Sequence, residues 1–267
     1  MSSTPSVQLY TVRDAISADL QGAVARVAEI GFTQVEPYSF VERADEFEKA
    51  FAASGVTAPS GHAPVIDSDD PARTFAAAAQ LGIGTVIDPF IPSDRWQSAD
   101  DAARLADRVN VLQALAAEAG LGFGYHNHQW EFANLVDGRP IYELFVEALS
   151  PEVALEVDTY WSTVGGVDTP ALLRRLGDRV KFIHVKDGPV RGDIATALPS
   201  SESALSVPEA LAAAFANQLP AGSGDVGVAA ILAAAPNALR VVEFDGYTGD
   251  VFDGIAASFA WLAENDK

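Results

Sequence analysis

The stretch Tyr125-His126-Asn127-His128-Gln129-Trp130-Glu131-Phe132 follows the short apolar run 121–124 and sets two imidazoles, an amide and a carboxylate close together. A strand that ends in such a cluster ends in something other than a simple turn. The chain has only 4 histidines, and the two outside this stretch, His62 and His184, also close short β-like runs. The sequence therefore reads as a scaffold that brings several strand ends to one point.

Working outward, runs rich in Val, Ile, Leu and Phe alternate with Ala-rich stretches of helical period along the whole chain. The strand-like runs are 6–10, 33–37, 57–62, 85–90, 122–126, 154–158, 181–186 and 240–245. The helical patterns lie near 20–30, 44–53, 71–81, 100–119, 141–149, 169–176, 228–235 and 251–262. Gly31, Gly55, Gly82 and Gly120 follow helices, where a left-handed cap favours glycine, and Pro170 and Pro208 stand at expected helix starts. Repeated strand–helix alternation over 267 residues predicts an α/β fold, a single-domain (β/α)8 TIM barrel spanning 1–267, rather than an open doubly wound sheet. No Gly-x-Gly-x-x-Gly follows the first strand, which removes the main support for a dinucleotide-binding reading. The irregular region 188–220, after strand seven, is read as an insertion, either a lid or oligomer contact or a neutral loop.

Composition narrows the partners. With 37 acidic and 17 basic residues, the charge of −20 opposes binding to nucleic acid or to anionic membrane surfaces. The absence of Cys excludes disulfides, thiolate catalysis and Cys-ligated zinc or iron–sulfur centres. No apolar run approaches the ~20 residues that span a bilayer, and Met-Ser-Ser-Thr-Pro-Ser lacks the parts of a signal peptide, so a cytoplasmic protein is expected. Homo-oligomerisation stays open.

In a barrel of this kind the active site is built from the C-terminal strand ends. The polar residues there are Glu36, His62, Asp88, His126, His128, Glu131, Glu156, Asp158, His184, Lys186, Glu243 and Asp245. Each one alone reads equally well as a helix cap or half of an ion pair. Strand alternation makes the set more informative: Glu156 with Asp158, His184 with Lys186, and Glu243 with Asp245 each share a face, opposite apolar neighbours. Buried carboxylates without compensation cost several kcal/mol each, and basic residues are few, so a divalent cation is expected to supply the missing charge. Oxygen and imidazole ligands suit Mn²⁺, Mg²⁺, Co²⁺ or Zn²⁺, with Mn²⁺ the leading expectation. The expected ligands are Asp158, His184 and Glu243, with Glu131 as the fourth on charge grounds and His126 as its rival.

The chain resembles the xylose isomerase-like TIM-barrel superfamily, and within it the bacterial sugar phosphate isomerase/epimerase branch. The resemblance rests on Gln8-Leu9-Tyr10, Tyr125-His126-Asn127-His128 with Glu131-Phe132, Glu156-Val157-Asp158-Thr159-Tyr160-Trp161 with Gly165-Gly166-Val167-Asp168, His184-Val185-Lys186-Asp187, and Gly222-Ser223-Gly224-Asp225. It implies one divalent metal held by Glu131, Asp158, His184 and Glu243. Other branches carry the first Glu on the strand itself, where His126 stands here, which points to a substrate outside the simple ketoses. The implied activity is a metal-dependent isomerase or epimerase acting on a keto-sugar or keto-glycoside through an enediolate. The alternative is a lyase that eliminates the aglycone from 3-keto-glycosides.

In this reading Glu131 and Glu243 serve as ligand and acid/base, and Lys186 and His62 polarise or protonate oxygens. Glu36, His126 and His128 bind substrate hydroxyls, and Trp161 forms a wall for a sugar face. Glu36 and His128 read equally well as supports for a ligand, and Trp161 reads better as packing. Tyr10 and Arg13 carry no role derivable from sequence. An endonuclease-IV-like repair enzyme would need a basic face and more histidines. A catalytically silent sugar-binding barrel would keep the fold and fail to exchange a substrate proton with solvent.

Overall fold

The computed structural model describes residues 4–191, 194 and 209–266. Parallel strands alternate with helices around a nearly closed barrel, β1 (Ser6–Gln8), β2 (Gln34–Glu36), β3 (Ser60–His62), β4 (Thr85–Asp88), β5 (Gly122–His126), β6 (Ala154–Asp158), β7 (Val180–Val185) and β8 (Leu239–Val242). Their sheet order, β2-β1-β8-β7-β6-β5-β4-β3, places β2 and β3 at the two ends. Isolated bridges Gln34–Thr57 and Tyr38–His62 join those ends. There the His62 amide donates to the Pro37 carbonyl at 2.8 Å, and the Val35 amide to the Thr57 carbonyl at 2.9 Å.

The outer helices are α1 (Leu20–Ile30), α2 (Ala44–Ser54), α3 (Pro71–Gln80), α4 (Ala99–Glu118), α5 (Ile141–Ala148), α6 (Thr169–Leu176), α7 (Val228–Ala234) and α8 (Val251–Asn265). Local chemistry fixes several starts. Asp70 accepts the Arg73 amide ahead of α3, Ser98 accepts the Asp101 amide ahead of α4, and Asp168 accepts the Ala171 amide ahead of α6. Pro170 lies in the first turn of α6, where its missing N–H costs nothing, while Pro208 lies outside the described residues. Much of region 188–220 also lies outside them. Of the part described, a helix at Glu209–Ala216 follows.

Two apolar layers explain the closure. Outward-facing Val7, Val35, Val86, Phe123, Leu155, Val157, Ile183, Val185 and Val242 pack into the large core beneath the helices. Inside the barrel, Ile87, Ala154, Phe182 and Val241 form a separate small cluster with Leu239 against it. This cluster is a floor, and the next inward residue is polar on β6 (Glu156), on β7 (His184) and just past β8 (Glu243). Gly124 is required here, since a Cβ on it would come within 2.6 Å of the Ala154 carbonyl and of Ile87 Cδ1. Several expected strands run past the sheet: Tyr10, Phe90 and Asp245 lie beyond the ends of β1, β4 and β8. Pairing stops there, and the freed residues line the barrel mouth.

Candidate metal centre

On β6 the pattern Leu155-Glu156-Val157-Asp158 sends both carboxylates inward and both aliphatic side chains to the helix layer, and all of them are fully buried. On β7 His184 follows the same face as Phe182, and Lys186 continues it past the strand end. Register sets Asp158 opposite His184, and His184 opposite Val241, so Glu243 arrives two residues above. The alternation expected from sequence is thus the one observed.

His184 lies at the middle of the resulting cluster. Its Nδ1 is 2.8 Å from Glu243 Oε2, and its Nε2 is 2.8 Å from Glu36 Oε1 and 3.2 Å from Glu156 Oε2. Lys186 Nζ sits 2.8 Å from Asp158, 2.5 Å from Glu243 and 2.8 Å from Asp245. His126 Nδ1 lies 3.1 Å from Glu156 Oε2, with its Nε2 3.8 Å from Asp158 Oδ2. His62 Nε2 lies 2.5 Å from Glu156 Oε2 and 3.2 Å from Glu36 Oε1.

Electrostatics follow from that packing. Burial disfavours charge on Lys186 and His184, but the surrounding carboxylates outweigh it and hold both well above their usual ranges. Burial likewise works against charge on Glu156 and Glu243, yet His184 and His62 hold the first, and Lys186 and His184 the second, well below the usual carboxylate range. Asp158 is the exception: burial pushes its carboxyl up, and Lys186 offsets only part of the rise.

Ligand atoms of His126, Asp158, His184 and Glu243 lie within 4.8 Å of one another, and so do those of His62, His126, Glu156 and His184. These are oxygen and nitrogen donors with an excess of negative charge, the set a divalent ion of intermediate hardness takes. The donor set fits a divalent cation.

Glu131 is not brought to this cluster. The short helix Trp130–Ala133 folds it behind β5, where Tyr125 donates its hydroxyl at 2.6 Å and the His128 amide donates at 3.0 Å. Tyr125 faces the helix layer, so a residue bonded to it stands outside the barrel. Burial raises the Glu131 carboxyl to about 8, against the lowering effect of the Tyr125 hydrogen bond.

Above the cluster opens a cavity of ≈ 500 Å³, lined by His62, His126, His128 and Glu243 at its base and by Tyr10, Tyr38, Phe90 and Phe215 on its walls. His128 stacks on Trp130 at 4.4 Å, and that indole is anchored by its N–H to the Ile91 carbonyl. Burial, with His126 and Lys186 nearby, keeps the His128 imidazole neutral. Phe215 comes from the helix after region 195–208, which sets that helix over the mouth.

Glu36, Trp161, Lys186 and Asp88 do not line the cavity. Glu36 lies below the cavity, bonded to Gln8, Ser60 and His184. Trp161 is fully buried with its ring edge-on to Phe215, behind the wall. Lys186 has no exposed side-chain surface and is clasped by its three carboxylates. Asp88, the last residue of β4, accepts the amides of Val65, Ile66 and Phe90 and so ties down the neighbouring loops.

Some supports were not singled out from sequence. Asn127 brackets the Asp158 backbone, accepting its N–H at 3.1 Å and donating to its carbonyl at 3.3 Å. Gln218 clasps Asp245, donating to its carboxylate and accepting its amide, both at 2.7 Å.

The fold and the cluster together define a (β/α)8 protein with a candidate metal centre at the C-terminal strand ends. A family model described as Xylose isomerase-like TIM barrel matches residues 24–262, and the chain belongs to that family. No curated protein matches the chain. Among solved structures it resembles a sugar phosphate isomerase/epimerase from Parabacteroides distasonis, with TM-score 0.75 and 22% identity over 97% of both chains. A xylose isomerase-like TIM barrel protein from Mycobacterium smegmatis in complex with magnesium matches with TM-score 0.68 and 16% identity over 98% of this chain and 96% of that one. An L-ribulose 3-epimerase matches with TM-score 0.67 and 13% identity over 98% of this chain and 94% of that one. At these identities the likeness is one of fold. Among the described residues no helix is long and apolar enough to cross a membrane.

Proposed function

We propose that this protein is a divalent-metal-dependent isomerase or epimerase of a keto-sugar or keto-glycoside. The observation that carries the reading is the convergence of His126, Asp158, His184 and Glu243 at the base of the aromatic-walled cavity. With a single ion bound, Asp158, His184 and Glu243 are ligands and His126 takes the fourth place, where Glu131 was expected. The epimerase and magnesium-bound structures that share the fold agree with this reading. The set does not choose among Mg²⁺, Mn²⁺, Co²⁺ and Zn²⁺.

A divalent ion there supplies Lewis acidity, polarising a carbonyl and making the adjacent C–H more acidic. The chain's own residues do the rest. His62 and His128 face the cavity on either side of His126, each with a ring nitrogen able to carry or accept a proton. Lys186 holds Asp158, Glu243 and Asp245 in one place, and Glu36 fixes His184 through Nε2. Tyr10, Tyr38, Phe90 and Phe215 exclude water and offer apolar faces to a sugar ring.

A second reading, elimination of an aglycone from a 3-keto-glycoside, is favoured by one observation. A neighbouring cleft of ≈ 580 Å³ shares Arg13, Phe215 and Asp245 with the cavity, giving room for a substituent beyond one ring. The two readings share the first proton abstraction. Screening keto-monosaccharides and 3-keto-glycosides with the metal-loaded protein separates them: epimer formation supports the first, and release of the aglycone the second. No turnover of either class, with metal shown to be bound, contradicts both.

A further inference from the structure

Arg13 stands where the cavity meets the neighbouring cleft and lines both. Among the described residues lining the cavity it is the sole Lys or Arg. Its Nη1 donates to the Tyr10 carbonyl at 3.1 Å and its Nη2 to the Asp245 carbonyl at 2.9 Å, while the guanidinium carbon lies 4.4 Å from the centre of the Tyr10 ring. Tyr10 in turn meets Tyr38 edge-on, with ring centres 5.3 Å apart. The two carbonyls take two of the five N–H donors and leave the charge uncompensated. Among the described residues no carboxylate pairs with Arg13: the Asp245 carboxylate is taken by Lys186 and Gln218, and Arg26, the other cation of the cleft, is paired with Asp250.

Tethering through carbonyls alone is not peculiar to this residue, since Arg108 and Arg179 are held in the same way, but neither of those lines the cavity or the cleft. Position is what sets Arg13 apart. The Asp245 carbonyl that holds it is two residues past Glu243, at most about 7 Å along the chain. A six-carbon sugar with its carbonyl at the cluster spans that interval. A phosphate carries close to two charges and is usually met by several donors or by a helix N-terminus. Here a single guanidinium stands among Asp14, Glu243 and Asp245, which suits a group of one negative charge and a planar pair of oxygens.

We propose that Arg13 receives a carboxylate of the substrate, so that the keto-sugar or keto-glycoside acted on is a sugar acid. This assignment depends on the function proposed above and narrows its substrate class. The protein loaded with Mn²⁺ is given fructose, fructuronate and fructose 6-phosphate, and a 3-keto-glucoside beside the matching 3-keto-glucuronide. In each set that turns over, kcat/KM is expected to be about 10- to 100-fold higher for the carboxylate than for its neutral counterpart, the range of a charge-assisted hydrogen bond, with the difference in KM. The ratio is expected to fall to near one in Arg13→Gln and to return in part in Arg13→Lys.

Equal kcat/KM for acid and neutral substrates in the unaltered protein overturns the proposal, as does a preference that survives Arg13→Gln. A preference for fructose 6-phosphate over fructuronate overturns the carboxylate in favour of a phosphate. Turnover of none of these removes the proposed function, and isothermal titration with fructuronate and fructose then decides the subsite by itself. Tighter binding of fructuronate, lost in Arg13→Gln, supports it, and equal binding or none overturns it. Should Arg13→Gln fail to fold, the ratio in the unaltered protein and in Arg13→Lys still decides.

Discussion

His184 and Glu243 meet through Nδ1 and Oε2 at 2.8 Å, while the opposite nitrogen of the same ring meets Glu36 at 2.8 Å. A carboxylate on the far side of a ligating histidine fixes its tautomer and its ring plane. Glu36 is itself held by Gln8 and Ser60, so the orientation is passed from β1 and β3 to β7.

Replacing His184 with Ala removes a proposed ligand and the partner of three carboxylates, Glu36, Glu156 and Glu243. If His184 is a ligand as proposed, metal affinity is expected to fall by more than the 10- to 100-fold typical of an outer support. Glu36→Gln, which keeps the ring but alters its support, should fall within that range. Isothermal titration of both variants with Mn²⁺ compares them, and equal losses would place His184 outside the ligand set.

Lys186→Met leaves Asp158, Glu243 and Asp245 without their ammonium. Breaking a buried pair in this way costs about 3–5 kcal/mol. Urea denaturation of the metal-free protein measures the loss, and saturating divalent metal is expected to restore part of it. A variant as stable as the parent without metal would contradict the arrangement.

The Glu131 carboxyl is raised to about 8 by burial from an ordinary value of 4.5. Between these values the folded chain holds a proton that the unfolded chain has released, so the contribution of this group to stability falls as pH rises, by about 1.4 kcal/mol per unit. The fall levels off above the folded value. Glu131→Gln removes it, so this variant is expected to gain on the parent in denaturation experiments from pH 5 to pH 8, with unchanged metal stoichiometry. Loss of one bound metal would instead return Glu131 to the ligand set.

Phe215→Ala opens the cavity wall without touching the cluster. An aromatic contact worth about 0.5–1.5 kcal/mol translates into a KM raised roughly 2- to 10-fold, with kcat little changed. Steady-state kinetics on the substrate identified by screening checks it. A collapse in kcat at unchanged KM would give the ring a part in the chemistry.

The barrel was legible because periods of two and 3.6 alternate cleanly, and β5, β6, α1 and α6 fall within the bounds their patterns gave. The inward convergence of Asp158, His184 and Glu243 was legible for the same reason, since parity along a strand fixes a face. Glu131 was not, because it lies beyond a strand end, where the turn into Trp130–Ala133 decides its direction and neither charge nor the family resemblance fixes it. The hairpin Leu135–Val136 with Arg139–Pro140 has a local signal in Asp137-Gly138 at its turn, both with positive φ. Phe215, Tyr38 and Gln218 reach the mouth from loops and a late helix, and their positions depend on tertiary packing that no local pattern encodes.

The proposed chemistry is proton abstraction beside a carbonyl, dependent on a divalent ion. Incubating the protein with keto-sugars and 3-keto-glycosides in D2O, with and without a chelator, and reading deuterium by NMR tests it most directly. Incorporation at a carbon next to the carbonyl, lost on chelation and restored by added metal, is the predicted result. Exchange that persists without metal, or none in any substrate of either class with metal bound, would contradict it.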